Sequence, residues 1–193
     1  MKANSPTMNH KIVVVRILKA LVAVLTVPLG MLSSCGDIGS DTPVIPVISS
    51  DEALFRYVTR TDPFTFYTLF PNVDSVTMGT LNGSAAHQPL VRVRLNTKAL
   101  SALRDGTLPS GSIFSNGSVV FKEIIMNGQT ILYAVMLKDP AHPLSANRWL
   151  WAEYRPDGTI AFSVMSRGSG CVGCHSREQG PQHDFVRTFE RQR

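Results

Sequence analysis

A single dipeptide, Asn127-Gly128, predicts the fold of a large part of the second half of this chain. It is flanked by two largely apolar runs, Ser118–Met126 and Thr130–Leu137. Asn-Gly is the strongest short signal for a β-hairpin, because both residues tolerate the positive φ of a tight two-residue turn. The two runs are therefore predicted to be paired antiparallel strands.

Further strands lie on either side of this hairpin. Trp149–Tyr154 and Thr159–Met165 flank Arg155–Gly158, whose Pro-Asp-Gly sequence favours a turn. Leu90–Leu95 alternates apolar and basic residues, which is typical of a half-buried strand. Together these segments predict an antiparallel β-sheet.

Helices are predicted upstream of the hairpins. The first is Glu52–Val58. The second begins at Asp62-Pro63 and carries Phe66, Tyr67 and Phe70 on or near one face. The third is a short helix that Asn96 caps and that ends at Gly106. An antiparallel sheet with a few helices makes an α+β domain.

Directly after the last predicted strand, Cys171, Cys174 and His175 form a Cys-x-x-Cys-His motif. Each thiol can add to one vinyl group of a haem, and the adjacent imidazole can then serve as the proximal iron ligand. The motif predicts one covalent haem c, attached at Cys171 and Cys174, with its iron bound by His175.

Other uses of these thiols fit the sequence less well. A thioredoxin-like redox pair would follow a βαβ pattern, and none leads into Cys171. A zinc site would need more ligands at metal spacing, and His183 alone makes a poor third. A disulfide between Cys171 and Cys174 remains an alternative in an oxidising compartment.

The first 34 residues predict an export signal. Four basic residues and no acidic one precede Cys35, and the apolar run at 20–31 is short and broken by Pro28. The run ends in Leu-Ser-Ser-Cys at 32–35, which resembles the bacterial lipobox. Residues 1–34 are therefore predicted to be a lipoprotein signal peptide, with Cys35 the lipidated first residue of the mature chain. An ordinary signal peptide cut elsewhere, or an uncleaved anchor, would also export the rest.

The charge balance changes once this signal is removed. The full chain has 19 basic and 14 acidic residues, and four basic but no acidic ones precede Cys35, which leaves 15 against 14 and a net charge of +1. Such a balance does not argue for nucleic acid as a partner. Residues 35–50 are predicted to be a flexible tether and 51–193 a single domain. The expected location is the bacterial cell envelope, lipid-anchored and facing the periplasm or the cell surface.

Four segments besides the haem motif match a known family: Val91–Asn96, Asn116–Glu123, Trp151–Tyr154 and Asp184–Thr188. With the motif, they make residues 87–191 resemble the cytochrome P-460 family of β-rich c-type cytochromes, to which cytochrome c-prime-beta is related. The resemblance implies one haem whose iron is five-coordinate, bound by His175 and open on its other side. It also implies small nitrogen species, hydroxylamine or nitric oxide, as substrates or ligands.

The resemblance assigns a role to Lys122. In cross-linked members, the lysine of a Lys-Glu pair bonds covalently to the porphyrin edge, and Lys122 occupies that position. It is therefore expected to bind the haem and take part in catalysis. The residues alone favour a lysine on an edge strand in solvent, with Glu123 pointing to the opposite face.

The resemblance leaves two function classes open, because Ala134 stands near the position where hydroxylamine-oxidising members carry a carboxylate. Such a carboxylate would accept the substrate's protons, and the nearest acids, Asp139 and Glu153, are predicted to lie in a turn and on a strand surface. One class is an oxidoreductase for hydroxylamine or nitric oxide, with a soluble or membrane redox partner. The other is a non-catalytic nitric oxide binder or electron carrier. A homodimer is an option in both.

Several other residues could lie near the iron. Candidates for a sixth iron ligand are His87, Met126, Met136 and Met165. Methionines in apolar strands more often fill the core. Trp149 and Trp151 have the same strand parity, so they are predicted to share a face, either in the core or at a haem edge.

Overall fold

The computed structural model of the protein describes residues 47–71, 76–78, 86–177 and 180–187. All of these belong to the second of two compact units, Thr42–Arg193. The predicted signal peptide, the predicted lipid-attachment residue Cys35 and residues 36–46 of the predicted tether lie outside the described residues. Within the described ranges, no helix has the length and apolar character needed to cross a membrane.

An antiparallel sheet dominates the described structure. Its strands are β1 Thr68–Leu69, β2 Thr77–Met78, β3 Leu90–Leu95, β4 Val119–Met126, β5 Gln129–Lys138, β6 Trp149–Tyr154 and β7 Ile160–Phe162. They are ordered β1-β3-β4-β5-β6-β7, and β2 also pairs with β3. Every pairing is antiparallel. With a few short helices this is the predicted α+β domain.

The predicted hairpin forms as expected. Asn127 and Gly128 both have positive φ, 52° and 76°, so the turn between β4 and β5 takes the conformation that Asn-Gly favours. The resulting register places Lys122 opposite Ala134. The second hairpin also forms, but β7 ends at Phe162 rather than Met165, because Ser163 caps a 3₁₀ turn that begins there.

The described residues form three short α-helices beside the sheet. They are α1 Asp51–Arg56, α2 Thr97–Leu100 and α3 Cys171–Arg177. Ser50 caps α1, and Asn96 caps α2 as its sequence predicts, by accepting a hydrogen bond from the Ala99 backbone amide. After Arg56 the chain continues as one π-helical turn, Tyr57–Thr61.

The predicted helix from Asp62 to Phe70 is wrong. The Asp62 carboxylate does not cap a helix but accepts hydrogen bonds from the Tyr67 hydroxyl, at 2.9 Å, and the Asn96 amide, at 3.2 Å. The proline after Asp62 is extended, with ψ of 129°, and only one 3₁₀ turn follows. The chain then enters β1 because pairing with β3 provides the backbone hydrogen bonds that a helix would otherwise supply.

The sheet is covered on both faces. The motif face, named here for the helix packed on it, carries Val93, Val120, Met136 and Trp151 and contacts Cys171 and Val172 of α3. The opposite face carries Phe121, Val135, Leu150 and Tyr154 and contacts Leu54 of α1. Seven of the eight residues of β4 are consequently buried. A charged residue in β4 therefore enters an interior whichever face it takes.

Candidate functional site

Helix α3 brings together the residues of the Cys-x-x-Cys-His motif. Cys171 and Cys174 are both free thiols, so the alternative disulfide is not formed. They lie three positions apart on the helix, and such residues share a face. The start of α3 sits close to β6, because a Cβ on Gly168 would lie 2.6 Å from Cδ1 of Trp151. The two thiols are thus presented together beside the sheet.

His175 is held in a defined orientation. Its Nδ1 lies 2.6 Å from the backbone carbonyl oxygen of Phe185, which can only accept a hydrogen bond. Nδ1 therefore carries the proton, and Nε2 is the ring nitrogen available to a metal. Burial, followed by the charge of Lys122, lowers the pKa of His175 to about 3, so the imidazole is neutral. The Trp151 ring meets it edge-on, with centroids 4.9 Å apart.

A buried ion pair fixes the segment that carries this carbonyl. The Lys138 ammonium, fully buried at the end of β5, lies 2.6 Å and 2.5 Å from the two carboxylate oxygens of Asp184. The same carboxylate accepts a hydrogen bond from the Phe114 amide, and the Asp184 carbonyl accepts one from the Trp149 indole. Asp184 is therefore bound on three sides, immediately before Phe185.

Lys122 lies on the motif face and is 9 % exposed. The solvent position that its residue type alone favours is not the one it takes, because α3 and the neighbouring strands cover this part of β4. Its Nζ is 3.2 Å from Nδ1 of His87. Burial, followed by the charge of Arg187, lowers the pKa of Lys122 to about 8. Glu153 and Cys171 also act on it electrostatically, so these groups form one cluster.

The prediction that Glu153 lies on the strand surface is wrong. Lys122, Ala134 and Glu153 stand side by side on β4, β5 and β6, and residues paired across strands share a face. The Glu153 side chain is 22 % exposed, and its Oε1 is 2.7 Å from Nε2 of His87. A carboxylate and an imidazole thus adjoin Lys122.

The sequence contains a signal that would have located Glu153. Trp149, Trp151 and Glu153 have the same parity along β6, so the face predicted for the tryptophans is also the face of the acid. Both tryptophans do lie on the motif face. The sequence singles out His87 only as a candidate iron ligand. No local signal predicts its contact with Lys122, because His87 precedes β3 and approaches Lys122 only through the fold.

The candidate sixth ligands separate by position. Met136 is buried on the motif face, in agreement with a core role. Met126 and Met165 are 44 % and 60 % exposed, so the expectation that they fill the core is wrong. In both cases the strand ends nearby and leaves the side chain at the surface.

These residues fit a haem better than a bare metal ion. Within the described part of the chain, no group of three or more Cys, His, Asp or Glu side chains could hold a metal ion. A c-type haem requires fewer protein ligands than a bare metal ion. It needs two thiols on one helix face and one neutral imidazole with an available nitrogen. Cys171, Cys174 and His175 provide these, with Lys122 on the adjoining strand face.

Comparison with known proteins agrees with this architecture. No curated protein matches the chain. The family model described as Cytochrome P460 matches residues 74–188, which is more than half of the 193 residues and includes the sheet strands β2 to β7 and the haem motif. The chain therefore belongs to the cytochrome P460 family, a family of c-type haem proteins.

Proposed function

We propose that the protein is an exported haem c protein whose five-coordinate iron acts on small nitrogen species, hydroxylamine or nitric oxide. Cys171 and Cys174 hold one haem covalently, and His175 binds its iron through Nε2. Lys122 lies at the haem edge. When bound, the haem supplies an electron acceptor with an open coordination position.

The observation that carries this proposal is the hydrogen bond from His175 Nδ1 to the Phe185 carbonyl. It orients the imidazole with Nε2 free, and it makes the ring a stronger donor to iron. The thiols of Cys171 and Cys174 belong to the same short helix, so attachment and ligation use one rigid element.

Oxidation of hydroxylamine also requires a proton acceptor. Ala134 cannot accept a proton, so this residue of the sequence argues against hydroxylamine oxidation. Glu153 lies beside Ala134 in the sheet and His87 contacts Glu153, so proton-accepting groups do adjoin Lys122. This supports an oxidoreductase over a passive binder. The oxidation also needs a soluble or membrane redox partner to remove electrons.

A nitric oxide binder is the second candidate. Val93, Ala134 and Trp151 give the motif face an apolar character around Lys122, and a neutral gas needs only an open iron position and a dry site. An electron carrier is less well supported, because it would need a strong sixth iron ligand. Met126 and Met165 lie at the surface, and Met136 is packed in the core. Both ring nitrogens of His87 are already in contact with Glu153 and Lys122.

Cell location is part of the proposal. Residues 1–34 direct export, and lipid on Cys35 anchors the protein at the cell envelope, facing the periplasm or the cell surface. Labelling with a fatty-acid analogue should mark the full chain but not its Cys35→Ala variant. Equal labelling of the two would exclude lipidation at this residue.

The haem proposal is tested with full-length protein made alongside a haem-maturation system. Mass spectrometry should show one haem retained after denaturation, attached to the peptide that contains Cys171 and Cys174. Release of the haem by acidic organic solvent would contradict covalent attachment. Hydroxylamine turnover with an artificial electron acceptor then separates the two candidates: steady turnover supports the oxidoreductase, whereas nitric oxide binding without turnover supports the binder.

A further inference from the structure

A continuous hydrogen-bonded chain joins Lys122 to Glu153 through His87. Nε2 of His87 is 2.7 Å from Oε1 of Glu153, and Nδ1 of His87 is 3.2 Å from Nζ of Lys122. An ionised carboxylate can only accept hydrogen bonds, so the proton of the neutral ring lies on Nε2. Nδ1 then presents its lone pair to the lysine nitrogen. One tautomer satisfies both contacts.

The surroundings keep this imidazole neutral. Burial, followed by the charge of Lys122, lowers the pKa of His87, and these effects outweigh the opposing influence of Glu153. The contact between His87 and Glu153 is therefore a hydrogen bond to a carboxylate rather than a pair of opposite charges. The charges that act on Lys122 come from Arg187, Glu153 and Cys171, and burial is the largest influence on its pKa.

The backbone at His87 is also unusual. Its φ of 62° lies in the left-handed region, which few residues other than glycine adopt. Such a conformation costs free energy and persists where the surrounding structure requires it, often at functional sites. Here it accompanies an imidazole placed between two other ionisable side chains.

We propose that His87, oriented by Glu153, takes the proton from Lys122 and holds its amine in place for bonding to the edge of the haem. This inference rests on the proposed function, in which Lys122 adjoins the haem. Nucleophile, base and orienting carboxylate have the same order as in a catalytic triad, with a lysine as the nucleophile. His87 and Glu153 are positioning residues, because they act through Lys122.

The bond-forming step requires an oxidant, which we take to be a peroxide. The Lys122 ammonium first gives one proton to Nδ1 of His87. The amine then loses an N–H, the porphyrin carbon loses a C–H, and a C–N bond forms between them. The two electrons and two protons released reduce one molecule of hydrogen peroxide to two molecules of water. The proton on His87 returns to solvent.

The test uses full-length protein with haem attached through Cys171 and Cys174, before and after addition of hydrogen peroxide. Proteolysis and mass spectrometry measure the fraction of haem that is also bonded to the Lys122 peptide. We expect a high fraction in the unaltered protein and at least a tenfold lower one in His87→Asn, since asparagine tolerates positive φ but is not a base. Glu153→Gln should lower the cross-linked fraction less, because the amide oxygen of glutamine can still accept a hydrogen bond from Nε2–H of His87.

Glu123→Gln is the matched control. It makes the same chemical change next to Lys122 on β4, but on the opposite face, where Glu123 pairs with Arg92 and Arg94. The control should cross-link as the unaltered protein does, even if it is less stable. If His87→Asn does not take up haem, Glu153→Gln decides the question.

The outcomes separate the two proposals. Equal cross-linking in His87→Asn or, where that variant lacks haem, in Glu153→Gln would overturn the role of His87 and Glu153. Haem bound to the two cysteines but never to Lys122 in the unaltered protein would also overturn it, while leaving the proposed haem attachment intact. Haem that is not bound to the cysteines at all would overturn the proposed function itself.

Discussion

At the scale of single residues, Lys122 and Glu123 show how two neighbours in one strand acquire different chemistry. Both are buried, at 9 % and 7 % exposure, on opposite faces of β4. Glu123 is neutralised by Arg92 and Arg94 from β3. The Lys122 ammonium instead contacts an imidazole, and the carboxylate of Glu153 reaches it only through that ring. Its proton is therefore easier to remove.

This difference predicts a pH dependence for the haem-free protein. The pKa of Lys122 is about 8 when folded against an ordinary 10.5, so between these values the unfolded chain binds more protons and folding becomes more favourable as pH rises. The full shift corresponds to about 3 kcal/mol. Urea unfolding measures the free energy of unfolding of the unaltered protein and of Lys122→Met. The difference between the two free energies should change with pH between about 8 and 10.5.

The comparison with Lys122→Met is needed because Cys171 acts in the opposite sense. Burial raises the pKa of Cys171 from 9.0 to about 11, so its contribution to stability falls with rising pH. Burial, the largest cause of that contribution, is common to both proteins, and the charge of Lys122 is the smallest of its causes. Parallel curves for Lys122→Met and the unaltered protein would place Lys122 in solvent.

At the scale of elements, strand β5 and the segment 180–187 are joined by the Lys138–Asp184 pair. The segment has little regular structure beyond one 3₁₀ turn, Gly180–His183. Asp184 and Phe185 both have positive φ, 51° and 65°. The ion pair therefore holds a strained stretch of chain in the position from which Phe185 binds His175.

We expect Asp184→Asn to lower the free energy of unfolding by about 3–5 kcal/mol, because the buried Lys138 ammonium loses its counter-charge. The haem reduction potential should rise, since a displaced Phe185 carbonyl makes His175 a weaker donor to iron. Denaturant unfolding and potentiometry measure the two effects. The double variant with Lys138→Met should recover part of the stability.

The exposed pair of Arg56 and Glu52 provides the control for this prediction. Glu52→Gln should change stability by no more than about 0.5 kcal/mol, because an ion pair in water contributes little. An Asp184→Asn variant with unaltered stability and unaltered potential would mean that the pair does not hold the segment.

At the scale of the whole molecule, the sheet separates the proposed haem site from a second core. The motif face supports α3, and the opposite face supports α1 through Leu54, which is fully buried. The two clusters share β4 but use alternate residues of it. Stability should therefore depend on both faces, whereas the site should depend chiefly on one.

Leu54→Ala is expected to lower the free energy of unfolding by about 2–5 kcal/mol, as cavities left by buried leucines do. The visible spectrum of the haem-loaded protein should not change, because Leu54 lies across the sheet from α3. Trp151→Leu should change the spectrum as well as the stability, since the Trp151 ring contacts His175. A spectral change in Leu54→Ala would show that the two faces are coupled.

Much of the fold could be predicted from the sequence because its signals are local. Asn127-Gly128 specifies a tight turn through its own backbone preferences, and Asn96 caps α2 with its own side chain. The spacing of Cys171, Cys174 and His175 carries the haem motif within one helical stretch, and the family model confirms the family. In each case the interacting groups are a few residues apart.

Tertiary structure decided what lies around that motif. Three features depend on sheet register or on segments distant in sequence. They are strand β1 in place of the helix predicted after Asp62, the contact of His87 with Lys122, and the pairing of Lys138 with Asp184. Lys138 and Asp184 are 46 residues apart and His87 and Glu153 are 66 apart. The partner of a charged residue cannot be predicted from its neighbours in the sequence, because strand pairing and the face that each side chain takes determine that partner.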